Sequence, residues 1–149
     1  MVALITGASS GIGEALAHRF ARAGHDLVLV ARNADKLRTL AGTLVPEHGI
    51  KVWAAPADLS DPGAAAGLAG AMTRARRCID VLVNCAGVLQ YGPFVGLSAQ
   101  RHQRLIDLNI SGLTAMLAAF VPGLVTRGSG RVLNVASIAA FQPVPSLAT

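Results

Sequence analysis

Short apolar runs and stretches of helical spacing take turns along this chain from its first residues. Residues 2–6 form an apolar run closed by a glycine-rich turn, which predicts a strand. Residues 13–23 predict a helix, since Ile12, Leu16 and Phe20 recur at helical spacing and Gly24 provides a stop. Residues 26–31 contain Leu-Val-Leu-Val, apolar on both faces, as a strand buried in a parallel sheet must be. A second helix is predicted over 34–44 with Asn33 as its cap. A third strand follows at 51–55 and an alanine-rich helix at 62–76. Val-Leu-Val within 80–84 marks strand four. Ser98 then caps a long helical stretch toward Phe120, with an interruption expected near Ser111 and Gly112. Strand five is predicted over 130–136, and Pro143 and Pro145 turn the chain after Phe141 into loop. Strands and helices alternating with short links, and no internal repeat, predict one doubly wound α/β domain over residues 1–149.

Composition narrows the class. With 52% hydrophobic and 14% charged residues, the chain is no disordered tail. It lacks an uninterrupted apolar run of about 18 residues, the length a membrane span needs. The nearest approach, 113–125, contains Pro122 and Gly123, so a buried helix is expected and no membrane span. Thirteen basic residues against eight acidic ones leave a charge of +5. Only Arg74, Arg76 and Arg77 cluster, and a solvated helix face accounts for them. No aromatic stacking platform accompanies the charge, so nucleic acid is not an expected partner. An anionic small molecule suits the surplus better. Cys78 and Cys85 form no CxxC pair and fit a reducing compartment. No signal-peptide pattern precedes the first strand, so a cytoplasmic location is expected. The four histidines and eight acids show no HExxH-type spacing, so a protein-held metal is not expected.

The sharpest motif is Thr6-Gly7-Ala8-Ser9-Ser10-Gly11-Ile12-Gly13, between the first strand and the first helix. Gly7, Gly11 and Gly13 permit a tight turn and let the backbone approach a diphosphate. The helix start offers unpaired N–H groups and partial positive charge to that anion. A glycine triplet alone is weak, but here it stands in the required strand-before, helix-after context. Ile12-Gly13-Glu14 stands where a nucleoside-triphosphate loop needs its lysine, which disfavours ATP hydrolysis. The second strand ends at Ala31-Arg32-Asn33, with a guanidinium where an acid would hold the two ribose hydroxyls of NAD. Arg32 can pair with a 2′-phosphate, so NADP(H) is expected ahead of NAD(H). The nearby Asp35 keeps NAD(H) open.

These residues, in register along the whole chain, resemble the short-chain dehydrogenase/reductase family in its TGxxxGxG form. The resemblance implies a Rossmann-type parallel sheet in the order 3-2-1-4-5, with further strands expected in the full fold. It implies cofactor contacts from Gly7, Ser9, Ser10, Gly11, Ile12 and Gly13. Asp58 and Leu59 resemble the pair that meets the adenine ring. Asn84, Ala86 and Gly87 resemble the NNAG segment beside the cofactor, with Cys85 in place of its second asparagine. Asn109 matches the asparagine that orders a water in the family's proton relay, and Ser137 matches the serine that bonds the substrate oxygen. Taken singly, Asp58 and Ser137 also read as turn residues, Asn84 as structural, and Asn109 as relief for a kinked helix.

The resemblance also implies hydride transfer between nicotinamide and a small-molecule carbonyl or alcohol, with proton transfer by a tyrosine and a lysine four residues later. Family spacing puts that tyrosine one residue beyond Thr149. Tyr91, the chain's only tyrosine, has Val95 at the lysine position and is not read as its replacement. The chain is therefore expected to hold the cofactor half of an oxidoreductase, with negligible turnover by itself. A non-catalytic dinucleotide-binding module is the alternative. Gln90–Phe94, Phe141 and Gln142 are candidates for the border of a substrate pocket. The apolar helix carrying Leu113, Met116, Leu117 and Phe120 needs cover on both sides, and the family uses it in homodimers or homotetramers.

Overall fold

The computed structural model describes residues 1–147, so the expected domain end at Thr149 lies outside the described residues. Five parallel strands form one sheet in the order β3-β2-β1-β4-β5. They are β1 (Val2–Thr6), β2 (Asp26–Ala31), β3 (Val52–Pro56), β4 (Val81–Asn84) and β5 (Arg131–Asn134). This is the expected doubly wound order. The chain returns to the central β1 after β3 and then builds outward through β4, which opens a crevice at the carboxyl ends of β1 and β4.

Successive residues of a strand point to opposite faces, and the buried residues divide accordingly. Ala3, Ile5, Leu27, Leu29, Val81 and Val83 pack on one face against Ala17, Ala21, Leu37, Leu40 and Leu44. Those partners belong to α1 (Gly11–Arg22) and α2 (Ala34–His48). Leu4, Val28, Val30 and Leu82 pack on the other face with Leu68, Met72, Met116 and Phe120. The second set comes from α3 (Ala64–Arg74) and α5 (Leu113–Thr126). β1 and β2 are apolar on both faces because both are covered by helices.

Several boundaries differ from the sequence expectation, each for a local reason. α1 begins at Gly11, two residues early, because the glycine-rich turn runs straight into the helix. α2 continues past Leu44 through Pro46 to His48, and Gly49 ends it in the left-handed conformation (φ 66°). Pro46 deprives only the carbonyl of Gly42 of its helical partner, and both residues are exposed, so that carbonyl is open to solvent. α3 is shorter than expected and starts at Ala64.

The interruption expected near Ser111 and Gly112 is a wide π turn rather than a break. α4 (Ala99–Ile106) passes through it, Asp107–Gly112, directly into α5. A Cβ on Gly112 would stand 2.4 Å from the Leu59 carbonyl, so the helix there presses on the loop after β3. The stretch 113–125, read as a helix, is helical throughout and carries Pro122 and Gly123 inside it. Both are exposed, and the stretch Ala99–Thr126 is long and apolar enough, by length and composition alone, to cross a membrane. Only 22% of its most apolar window is buried, so the buried helix expected there is covered within this chain only in part. One stripe, Met116, Phe120 and Leu124, is buried, while Ala118 and Val125 face outward.

Candidate cofactor cleft

Hydrogen bonding fastens the turn after β1. Thr6, buried at the strand end, accepts from the backbone amides of Cys85 (2.9 Å) and Ala86 (3.0 Å) through Oγ1 and donates to the Val83 carbonyl (3.3 Å). The Ala8 amide donates to the Val30 carbonyl (3.2 Å), which ties the turn to β2 as well. Gly7 has φ 69°, and a Cβ there would lie 2.9 Å from Ala86 Cα. At Gly13 a Cβ would lie 2.3 Å from the Gly7 carbonyl oxygen, so helix and turn touch backbone to backbone.

Gly11 differs from both. With φ 59° it opens α1, and a Cβ there would meet nothing within 4 Å. The preceding Ser10 is extended and its side chain does not cap the helix. The first amides of α1 therefore lack both an intrahelical acceptor and a side-chain cap, beside open space. A cradle of this kind suits an anion with several oxygens.

The turn forms one wall of a cleft of about 370 Å3. Gly7, Ser9, Ser10, Ile12, Gly13, Arg32, Asp58, Leu59, Ala86 and Gly87 line it together, which unites most of the cofactor residues expected from sequence. Arg32 follows β2 and is exposed. Asp35, the acid that kept NAD(H) open, is paired with Arg38 at 2.6 Å. Asp58 Oδ1 accepts from both the Ser60 hydroxyl (2.7 Å) and the Ser60 amide (3.0 Å). Those two bonds hold its carboxyl below the usual carboxylate value, and the positive charges of Arg32 and Arg104 add to the effect. Cys85 also lines the cleft; burial pushes its thiol up, so it is a poor nucleophile there.

Four expected residues stand outside the cleft wall, which does not include Gly11, Asn84, Asn109 or Ser137. Asn84 is buried at the end of β4, where its Nδ2 donates to Asn134 Oδ1 (2.9 Å). Its own Oδ1 is buried without a partner. Asn109 sits in the π turn and grips the loop after β4 from both sides. It accepts from the Val88 amide (2.9 Å) and donates to the Val88 carbonyl (2.8 Å). Ser137 follows β5, where its Oγ accepts from the Ala139 amide (3.2 Å). Tyr91 is 74% exposed and does not line the cleft. The Gly92 amide donates to the Ser146 carbonyl (3.0 Å), which sets the loop after β4 against the loop after β5.

Sequence reasoning passed over Thr6 and Asn134. A hydroxyl closing a wholly apolar strand was a readable signal for Thr6. Asn134 stands opposite Asn84 in the β4–β5 register, a pairing that only the sheet reveals.

The short chain dehydrogenase family model matches residues 1–149, and the chain belongs to that family. Among curated relatives, a glycine betaine reductase of Emericella nidulans is 38% identical over 98% of this chain and 11% of its own length. An NADP-dependent 3-hydroxy acid dehydrogenase of Salmonella typhi is 35% identical over 96% of this chain and 56% of its own. A short-chain dehydrogenase from Sphingobium yanoikuyae, solved in complex with NADPH, superposes with a TM-score of 0.91 at 44% identity. That superposition covers 98% of this chain and 57% of the neighbour. The chain thus spans less than two thirds of the length of each of these relatives.

Proposed function

We propose that the chain binds NADP(H) in this cleft and supplies the cofactor half of an oxidoreductase acting on a small-molecule carbonyl or alcohol. The observation that carries the reading is the uncapped start of α1, whose Ser10, Ile12 and Gly13 line the cleft together with Arg32. The amides of Gly11, Ile12 and Gly13, with Ser9 and Ser10, would hold the diphosphate. Arg32 would meet the 2′-phosphate, and the pairing of Asp35 with Arg38 supports NADP(H) over NAD(H). Asp58 and Leu59 would border the adenine, and Ala86 and Gly87 the nicotinamide side. The Salmonella relative is NADP-dependent and the Sphingobium neighbour carries NADPH, which supports the same choice.

When bound, the nicotinamide supplies the hydride donor or acceptor. The residues of this chain position it and shield it. Asn109, by gripping Val88, holds the loop that forms the cleft's nicotinamide end and is proposed to order the relay water. Ser137 accepts from Ala139 and keeps its own hydroxyl proton, which is available to a substrate oxygen. The outward face of α5 supports a homodimer or homotetramer of the longer protein.

Titration by NADPH and NADH fluorescence tests the reading. Loss of one charge-assisted phosphate contact is worth about 1.5–3 kcal/mol, or roughly 10- to 100-fold in affinity. Arg32→Ala should therefore weaken NADPH by about that factor and leave NADH within a few fold. An unchanged NADPH preference would remove Arg32 from the site, and no binding of either nucleotide would remove the reading itself.

A further inference from the structure

We propose a divalent transition-metal site made by His18 of α1 with Glu47 and His48 of α2, of a kind suited to zinc. One imidazole nitrogen from each histidine and one carboxylate oxygen lie within 4.8 Å of one another. His48 Nε2 and Glu47 Oε1 are already 3.6 Å apart. Zinc–nitrogen and zinc–oxygen bonds near 2.0–2.2 Å put tetrahedral ligands about 3.3 Å apart. That pair is close to this spacing, and a modest side-chain turn brings His18 into place. Two imidazoles and one carboxylate make a set that suits zinc or its neighbours in the first transition row, and not magnesium or calcium.

The surroundings favour a cation on two further grounds. Glu47 and His48 occupy the last turn of α2, where unpaired carbonyls concentrate partial negative charge. Both helices are also anchored independently of any ion: Ala17 and Ala21 of α1, and Leu40 and Leu44 of α2, are buried in one core. The two histidines are half-buried and Glu47 is exposed, which leaves the fourth position open to water or an external ligand. The linear spacing conceals the set because His18 belongs to a different helix. This reading replaces the sequence expectation of no protein-held metal. A bound ion ties the end of α2 to α1, the helix whose start forms the nucleotide turn.

The test is calorimetric titration of the untagged full chain with Zn2+, under a phosphine reductant that keeps Cys78 and Cys85 reduced. One Zn2+ per chain is expected, weakened at least about tenfold in His18→Gln and in His48→Gln, with Mg2+ giving no signal. At a hundredfold excess over the parent's Kd, Zn2+ should raise the melting temperature of the parent chain by about 5–10 °C and that of either variant by about half as much or less. Glu47→Gln, which alters only an exposed side chain, provides a variant whose folding is not at risk and should weaken Zn2+ as well. Zn2+ binding of equal strength in the parent and all three variants would overturn the proposal, as would no binding by the parent.

Discussion

At the residue scale, Asp58 shows how a turn can set the charge on the cleft wall. Its carboxyl is held low first by the Ser60 hydroxyl, then by the Ser60 amide, with Arg32 and Arg104 contributing at longer range. Because the folded value lies below the ordinary 3.8, the folded state gains from ionised Asp58. That gain is fully present above the ordinary carboxylate range and is lost as pH falls through the lowered value. Ser60→Ala removes the larger bond and keeps the amide. A carboxyl NMR titration should show Asp58 moving part of the way back toward 3.8, and acid unfolding beginning at higher pH. An Asp58 titration identical to that of the parent would show that the serine hydroxyl does not set its charge. Arg32 is legible at this same scale, because a guanidinium at a strand end is a statement about charge that needs no fold. The Asp35–Arg38 pair is not, since either acid or base near position 32 reads the same along the chain.

At the element scale, the long helix is the least ordinary part. A π turn widens the helix over Asp107–Gly112 and presents Asn109 to the loop after β4, so one side chain bonds both polar groups of Val88. Gly112 permits the close approach to the Leu59 carbonyl that fixes where the turn sits. Gly112→Ala forces a shift of backbone rather than of a flexible side chain. A destabilisation of about 1–3 kcal/mol is expected, read as a lower melting temperature. Weaker NADPH binding should accompany it, because Leu59 and Val88 both line the cleft. A variant that melts like the parent would show that the contact is not tight in solution. The disruption itself was visible in sequence as Ser111-Gly112. Its form was not, because whether a helix breaks or bulges depends on what presses against it.

At the scale of the whole molecule, β5 is unlike the other strands. Like β3 it is an edge strand among the described residues, but all four of its residues are exposed, Val132 by 40% and Leu133 by 41%. An edge with unpaired amides and apolar side chains is a template for association. The chain should therefore self-associate as its concentration rises, and Val132→Lys should shift sedimentation toward the monomer without lowering NADPH affinity. Concentration-independent sedimentation of the parent would show that the edge is protected. The spread of the arginines over the surface also belongs to this scale. Arg77 stacks over the Trp53 ring at 3.8 Å and Arg127 donates to the Ile79 carbonyl, so part of the basic surplus serves packing rather than ligands.

The alternation of apolar runs with helical spacing, and the glycines placed between the first strand and helix, settled the fold class and the place of the glycine-rich turn by themselves. Both follow from local rules, the period of side chains along an element and the backbone freedom of glycine, which act over a few neighbouring residues. Tertiary structure alone decided that Asn134 meets Asn84, that Thr6 fastens the segment after β4, and that Pro46 and Pro122 are carried inside helices. It also decided that His18 reaches Glu47 and His48. Each of these depends on which distant segment lies alongside, and burial and register determine that only once the sheet and its helices have assembled.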